Sequence, residues 1–203
     1  QDTLYTGNNI QAYFKNCFID GNTDYIFGGG DVLFDACELS YYGYSNTQKG
    51  AYITAAADGS TTGYIFRNCY VSANDAWDVA AGYFGRPWRS SATVAFLNTK
   101  LQTKDTVTAV GWNSMSGARP EDANYQEYNT TVLGSGAADV SARTAGTVKN
   151  ENPYADIVQT FKGWQPFYFV QETDTTVTVK DIAIEGELKT GSVLKALYTL
   201  SGN

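Results

Sequence analysis

A six-residue pattern that recurs four times decides the fold. Phe14-Lys-Asn-Cys-Phe-Ile19 is followed by Phe34-Asp-Ala-Cys-Glu-Leu39, Phe66-Arg-Asn-Cys-Tyr-Val71 and Phe96-Leu-Asn-Thr-Lys-Leu101. Each copy is short, rich in residues that favour strands, and bordered by Gly, Asn, Asp or Ser, as expected of a single β-strand and its turns. The copies start 20, 32 and 30 residues apart. One such strand per repeat of this length is typical of a solenoid, and the longer spacings indicate loop insertions.

We therefore predict an all-β parallel β-helix in which Phe, Cys and the final aliphatic residue form interior ladders. Cys17, Cys37 and Cys69 are interpreted as small buried residues of one ladder. Cys37 and Cys69 would be near-neighbours in adjacent coils and could form a disulfide if oxidised. Helical patterns are scarce, and the best candidates are short stretches at 121–128 and 153–157.

Composition excludes several classes of function. The chain has 203 residues, 17% of them charged, with a net charge of −7 and no histidine. The negative charge argues against binding nucleic-acid phosphates, and no apolar run approaches the ~20 residues that span a bilayer. Without histidine, Ser-His-Asp catalysis and His-based zinc sites are excluded. Catalysis would have to use carboxylates, amides, Arg, Lys, Tyr or Cys, and we expect no metal or cofactor.

Two aspartates are spaced by about one coil of the predicted solenoid. Asp2 follows Gln1 at the start of the chain, and Asp24 lies 22 residues later in Asp24-Tyr-Ile-Phe-Gly28. Equivalent positions in successive coils are ~4.8 Å apart. Two carboxylates at that distance are not both comfortably ionised, which would give one charged and one protonated group. The alternative is a solvated pair of turn residues.

A third motif, Gly85-Arg-Pro-Trp88, combines a cation with an aromatic ring. Proline holds the residue before it extended, and side chains two apart in a strand face the same side. Arg86 would keep a carboxylate ionised, and Trp88 offers a flat face to a sugar ring. The alternative is a packing corner.

Together, Gln1-Asp-Thr-Leu-Tyr5, Asp24–Gly28 and Gly85–Trp88 resemble the motifs of the pectin methylesterases, in the same order. The resemblance extends to about Phe169 and includes Gly111-Trp112 and Trp164-Gln-Pro166. It implies a secreted, right-handed parallel β-helix that removes methyl groups from methyl-esterified homogalacturonan without a metal.

The resemblance also implies a role for each matching residue. Asp24 corresponds to the nucleophile, Asp2 to the general acid and base, Gln1 to a glutamine of the oxyanion hole, and Arg86 to the arginine bonded to the nucleophile. The residues that correspond to the substrate groove are Tyr5, Thr23, Phe27, Trp88 and Trp112. The partner implied is pectin, with no nucleic acid and no membrane.

The resemblance covers only the C-terminal two-thirds of that catalytic domain. We therefore expect the N-terminal coils and a second oxyanion glutamine on an upstream segment, in cis or as a second chain. We assign residues 1–170 to the β-helix and 171–203 to a linker and the start of a small β module. The alternative for the last strands is packing against the solenoid. Two other functions stay open, namely a pectate lyase and a non-catalytic carbohydrate-binding or adhesin fragment.

Overall fold

Short strands in parallel register build the first of two units, residues 1–164. The computed structural model describes residues 1–43, 51–74 and 82–166, and the backbone of two strands in the second unit, residues 165–203. Each of the first four coils contributes one strand to each of three sheets in turn, and the fifth coil adds strands to two of them. This arrangement confirms the predicted parallel β-helix.

The three sheets run along the solenoid. Sheet A contains, in order, β1 (Leu4–Thr6), β4 (Ile26–Gly28), β7 (Tyr52–Ala56) and β10 (Tyr83–Gly85). Sheet B contains β2 (Gln11–Lys15), β5 (Asp31–Asp35), β8 (Tyr64–Arg67), β11 (Thr93–Leu97) and β13 (Asn124–Tyr128). Sheet C contains β3 (Phe18–Gly21), β6 (Glu38–Tyr41), β9 (Tyr70–Ala73), β12 (Lys100–Leu101), β14 (Thr131–Val132) and the antiparallel β15 (Gly136–Ala137).

The repeated phenylalanines stack inside the solenoid as predicted. Ring centroids are 5.0 Å apart between Phe14 and Phe34, and 4.4 Å apart both between Phe34 and Phe66 and between Phe66 and Phe96. Burying each such ring contributes on the order of 2 kcal/mol. Cys37 and Cys69 are buried one coil apart, and both are free thiols.

The fifth copy of the repeat has a different residue in the phenylalanine position. Glu127 pairs with Phe96 in the sheet register and is buried. Its carboxylate accepts two hydrogen bonds from Arg143, at 2.8 and 3.2 Å, which neutralises the charge inside the solenoid. A buried charge is tolerated when it is paired and hydrogen-bonded.

The asparagine of the repeat forms the bend between sheets B and C. The φ angle lies between 52° and 56° in all four asparagines, and Ala36 takes the same left-handed conformation at 51°; the asparagines are Asn16, Asn68, Asn98 and Asn129. Asparagine tolerates this conformation better than most residues other than glycine. The repeat is thus set by backbone geometry as well as by core packing.

The helix predictions were partly wrong. Residues 120–122 form a 3₁₀ turn, Pro120–Asp122, but the rest of the predicted stretch is β13, which pairs in register with β11. The sheet ladder overrides the weak helical pattern. The second stretch, 153–157, overlaps α1 (Ile157–Thr160) only at Ile157, and the Asp156 carboxylate caps this helix by accepting the Gln159 N–H at 2.9 Å.

The second unit contains β16 (Thr178–Glu185) and β17 (Lys195–Ser201), which pair antiparallel. The domain boundary predicted at residue 170 lies outside the described residues. Within the parts of the chain that the structure describes, no helix is long and apolar enough to cross a membrane.

Candidate active site

The two aspartates occupy equivalent positions of neighbouring coils. Leu4 pairs with Ile26, and the Asp2 N–H donates to the Thr23 carbonyl at 3.1 Å, which aligns Asp2 with Asp24. Both have left-handed backbones, with φ of 57° and 55°. Aspartate is among the few residues other than glycine that adopt this conformation. The same bend therefore presents a carboxylate at the start of β1 and of β4.

The surroundings of the two carboxylates differ. Asp2 is exposed, whereas Asp24 is only 3% exposed. Arg86 donates to both Asp24 oxygens, from Nε at 2.8 Å and from Nη2 at 2.7 Å. The hydrogen bonds and charge of Asp24 raise the pKa of Arg86 above its usual value. This planar two-point pairing compensates the burial of the Asp24 charge.

The glycine before Arg86 lets the strand of Arg86 approach closely. A Cβ at position 85 would overlap the Thr54 hydroxyl and lie 2.6 Å from the Thr54 carbonyl. The Arg86 N–H donates to that carbonyl at 3.0 Å, and Pro87 is buried behind it. Glycine and proline thus fix the backbone from which the guanidinium reaches Asp24.

Arg86 reaches across one full coil to bond Asp24. Tyr83 pairs with Tyr52, and Ile26 pairs with Thr54, so Tyr52 lies in the coil between the two partners. The Arg86 Cζ lies 4.2 Å from the centroid of the Tyr52 ring. The guanidinium is therefore held by a carboxylate at its end and by an aromatic face along its side.

Aromatic rings continue from the aspartates along the outside of sheet A. Tyr5 pairs with Phe27 in the register, and their rings are 5.0 Å apart. Trp88 lies 6.2 Å from Phe27. Tyr5 is 60% exposed, and the other two rings are partly exposed. These three residues form an apolar strip beside Asp2 and Asp24, suited to the face of a sugar ring.

The two remaining candidates lie next to the aspartates in the chain. Gln1 is exposed at the start of the chain, immediately before Asp2. Thr23 is partly exposed, and its carbonyl accepts the Asp2 N–H. Exposed and partly exposed polar groups in these positions are accessible to a ligand that lies on the strip.

Comparison with known proteins decides the family. Residues 1–158 match the family model named Pectinesterase. The chain belongs to the pectinesterase family. A probable pectinesterase A of Neosartorya fischeri is 38% identical over 148 residues, which cover 70% of this chain and 41% of the relative.

Solved structures of pectin methylesterases have the same fold. The crystal structure of the Aspergillus niger enzyme in deglycosylated form is 30% identical, with a TM-score of 0.65, covering 80% of this chain and 50% of that one. The carrot enzyme is 25% identical, with a TM-score of 0.61, covering 73% and 47%. This pectinesterase-family chain thus spans about half the length of the proteins that it matches.

One predicted groove residue is wrong. Trp112 is 2% exposed and packs in the core, stacked on Tyr125 with centroids 4.2 Å apart and 5.5 Å from Phe84. Successive residues of a strand face opposite sides, and the inward position falls on Trp112. The next residue, Asn113, faces outward and donates from Nδ2 to the Tyr52 hydroxyl at 3.0 Å.

Sequence reasoning missed Tyr52 and Asn113 as members of this pectinesterase-family site. Asp2 and Asp24 are 22 residues apart, which is about one coil. Tyr52 lies 28 residues after Asp24, and Asn113 lies 28 residues after Gly85, because loop insertions lengthen these coils and hide the spacing. The position of Tyr52 could have revealed it. Tyr52 stands two residues before Thr54, just as Asp24 stands two residues before Ile26, the register partner of Thr54.

Proposed function

We propose that the protein hydrolyses the methyl esters of methyl-esterified homogalacturonan, giving free galacturonate and methanol. The observation that carries this proposal is the buried Asp24 carboxylate, bonded at two points by Arg86, beside the exposed Asp2 and an aromatic strip. One carboxylate is buried and paired with a cation, and the other is open to solvent. This is the pair of environments that separates a nucleophile from an acid and base.

Asp24 is the nucleophile in this proposal. Arg86 orients it with two hydrogen bonds and compensates its charge. A carboxylate has about four lone-pair sites, so two bonds from Arg86 leave lone pairs free. An Asp24 oxygen attacks the ester carbonyl, and the carbonyl electron pair moves to its oxygen. Gln1 donates a hydrogen bond to that oxyanion, which lowers the barrier.

Asp2 transfers the protons in both halves of the reaction. As the tetrahedral intermediate collapses, the bond to the methoxy oxygen breaks, and the Asp2 carboxyl protonates the departing methanol. The product of this half is an anhydride between Asp24 and galacturonate. Asp2, now ionised, takes a proton from water, which attacks the galacturonyl carbonyl. Cleavage of the anhydride restores Asp24 as a carboxylate and Asp2 as an acid.

The aromatic strip supports a polysaccharide substrate. Tyr5, Phe27 and Trp88 provide apolar faces rather than charges, which suits sugar rings whose carboxyl groups are neutral esters. A protein of net charge −7 attracts free pectate little, so stacking rather than charge steering captures the substrate. A polysaccharide of this size lies outside cells, and we propose that the protein is secreted.

The test is product analysis on highly methylated pectin with EDTA present. We expect methanol and free carboxylates in equal amounts, without shortening of the polymer. A lyase would instead give chain cleavage with an unsaturated end group, and a binding module would retain pectin without releasing methanol. Either result would overturn the proposal.

A further inference from the structure

Tyr52 occupies the position between the two partners of the central ion pair. Its backbone N–H donates to the Asn22 carbonyl at 2.8 Å, and its carbonyl accepts from the Tyr25 N–H at 3.4 Å, so Tyr52 sits opposite Asp24. On the other side it pairs with Tyr83. Any side chain that joins the coil of Arg86 to Asp24 must therefore pass over position 52.

The ring of Tyr52 faces the guanidinium that passes over it. Arg86 Cζ is 4.2 Å from the ring centroid, within the range of a cation–π contact. Side-chain exposure of Arg86 is 22%, so the contact is partly shielded from water. An arginine side chain has several rotatable bonds, and the aromatic face removes much of that freedom before any substrate arrives.

The ring itself is fixed from two directions. Tyr83 stacks on it with centroids 5.0 Å apart and an angle of 15° between the planes. Asn113 donates to the Tyr52 hydroxyl at 3.0 Å, and the Asn113 N–H donates to the Gly85 carbonyl at 3.1 Å. The contacts form a closed circuit from Gly85 through Arg86, Tyr52 and Asn113 back to Gly85.

We propose that Tyr52 is a positioning residue for the reaction, acting through Arg86, and that Asn113 orients Tyr52. The ring holds the guanidinium in the plane that gives Asp24 two hydrogen bonds at once. Without it, Arg86 samples other rotamers, and Asp24 loses both orientation and compensation of its charge. This inference rests on the proposed esterase function.

The central test compares Tyr52→Leu, which removes the ring, with Tyr52→Phe, which keeps it. We expect Tyr52→Leu to lower kcat by about 10- to 30-fold, the size of a shielded cation–π contact, with KM nearly unchanged. A fall in kcat at nearly constant KM distinguishes loss of Arg86 positioning from loss of substrate binding. Tyr52→Phe should keep kcat within about threefold, because the aromatic ring remains.

Tyr83→Leu is the matched control, because Tyr83 packs on the same ring and Tyr52 remains to hold Arg86. Since Tyr83 fixes only one side of the Tyr52 ring, we expect Tyr83→Leu to lower stability and to lower kcat by no more than about threefold. Equal losses of kcat in Tyr52→Leu and Tyr83→Leu would reduce Tyr52 to a packing residue and overturn the inference.

A second readout does not depend on turnover or on folding of the leucine variant. In ¹⁵N NMR spectra, the Nε–H resonances of Arg86 and Arg67 report two separate arginine–aspartate pairs. Tyr52→Phe and Asn113→Ala each remove the same hydrogen bond, between the Asn113 amide and the Tyr52 hydroxyl. The double variant should therefore change the exchange of the Arg86 Nε–H with solvent no more than either single variant does. Fully additive effects would contradict the circuit, whereas an inactive wild type with a protected Arg86 would refute only the esterase proposal.

Discussion

Two arginine–aspartate pairs of this solenoid have nearly the same hydrogen bonds and different surroundings. Arg67 donates to Asp35 at 3.1 and 2.6 Å, and Arg86 donates to Asp24 at 2.8 and 2.7 Å. Arg67 and Asp35 are direct neighbours across β5 and β8. Arg86 instead extends across the coil of Tyr52. The first pair follows from sheet register, and the second requires a specially supported side chain.

The two carboxylates also differ in what else contacts them. Asp35 accepts a third hydrogen bond, from the Tyr13 hydroxyl at 3.2 Å. Burial opposes ionisation of Asp35, but the hydrogen bonds and charge of Arg67 outweigh it, and its pKa lies below its usual value. Burial together with the Asp35 charge raises the pKa of Tyr13 to about 12. Asp24 has a second carboxylate, Asp2, in the equivalent position of the neighbouring coil instead.

The Arg67–Asp35 pair stabilises the fold, whereas in the proposed mechanism the Arg86–Asp24 pair orients the nucleophile. Asp35 is shared between Arg67 and Tyr13 within sheet B. Asp24 instead lies just before β4, which carries Phe27 of the strip, and it is aligned with the exposed Asp2. A bonded arginine is thus insufficient to mark a nucleophile, and the acid partner and the adjacent apolar surface are the deciding features.

After substitution of Asp24 itself, replacing the arginine of each pair should give the largest difference in kcat between the two pairs. Arg86→Ala should lower kcat roughly 10²-fold, because the nucleophile loses its orientation. Arg67→Ala should keep kcat within about twofold and cost about 1–3 kcal/mol in the free energy of unfolding. Methanol release and urea unfolding measure the two effects. Similar loss of kcat in both variants would mean that neither pair is specific to the site.

Removing the aromatic strip should affect binding more than chemistry. Trp88→Ala should raise KM about tenfold, equivalent to ~1.4 kcal/mol, with kcat nearly unchanged, since stacking is equal in the ground and transition states. Phe18→Ala is the control, because Phe18 is 63% exposed on sheet C, not on sheet A. Initial rates over a range of pectin concentrations give both constants. A fall in kcat at constant KM would assign Trp88 to the chemical step.

The smallest expected effect is the pH dependence of the stabilising pair. The pKa of Asp35 is lowered in the folded protein, so its contribution is complete above the unfolded value of about 3.9 and is lost as pH falls through the folded value. The difference in unfolding free energy between wild type and Asp35→Asn should therefore be constant from about pH 5 to 7 and shrink below about pH 4. Urea unfolding at several pH values measures it. A difference that grows on acidification would contradict the lowered pKa.

Much of this architecture could be predicted because one constraint repeats in every coil. Phe14, Phe34, Phe66 and Phe96 occupy one ladder, so their spacing is visible in the sequence. The fifth coil was missed because Glu127 replaces phenylalanine, and its charge is compensated by Arg143, which belongs to no repeat. Pattern recognition fails where a distant residue makes an exception stable.

The site could be predicted in part for the same reason. Asp2 and Asp24 keep the coil spacing. Arg86 instead bonds Asp24, which is two coils away, and only the Gly85–Trp88 motif indicated this contact. Trp112 was assigned to the wrong face, because the phase of its strand depends on the bridge to Gly85. The support from Tyr52 depends on a contact between side chains that no spacing specifies.

In the proposed mechanism Asp24 makes this site catalytic, whereas Asp35, which also pairs with an arginine, does not. The most direct test is methanol release by Asp24→Asn and Asp35→Asn, each shown to be folded by circular dichroism and urea unfolding. The account predicts a loss of roughly a thousandfold or more in Asp24→Asn and near-normal turnover in Asp35→Asn. Ordinary activity in a folded Asp24→Asn variant, or equal loss in both variants, would contradict it.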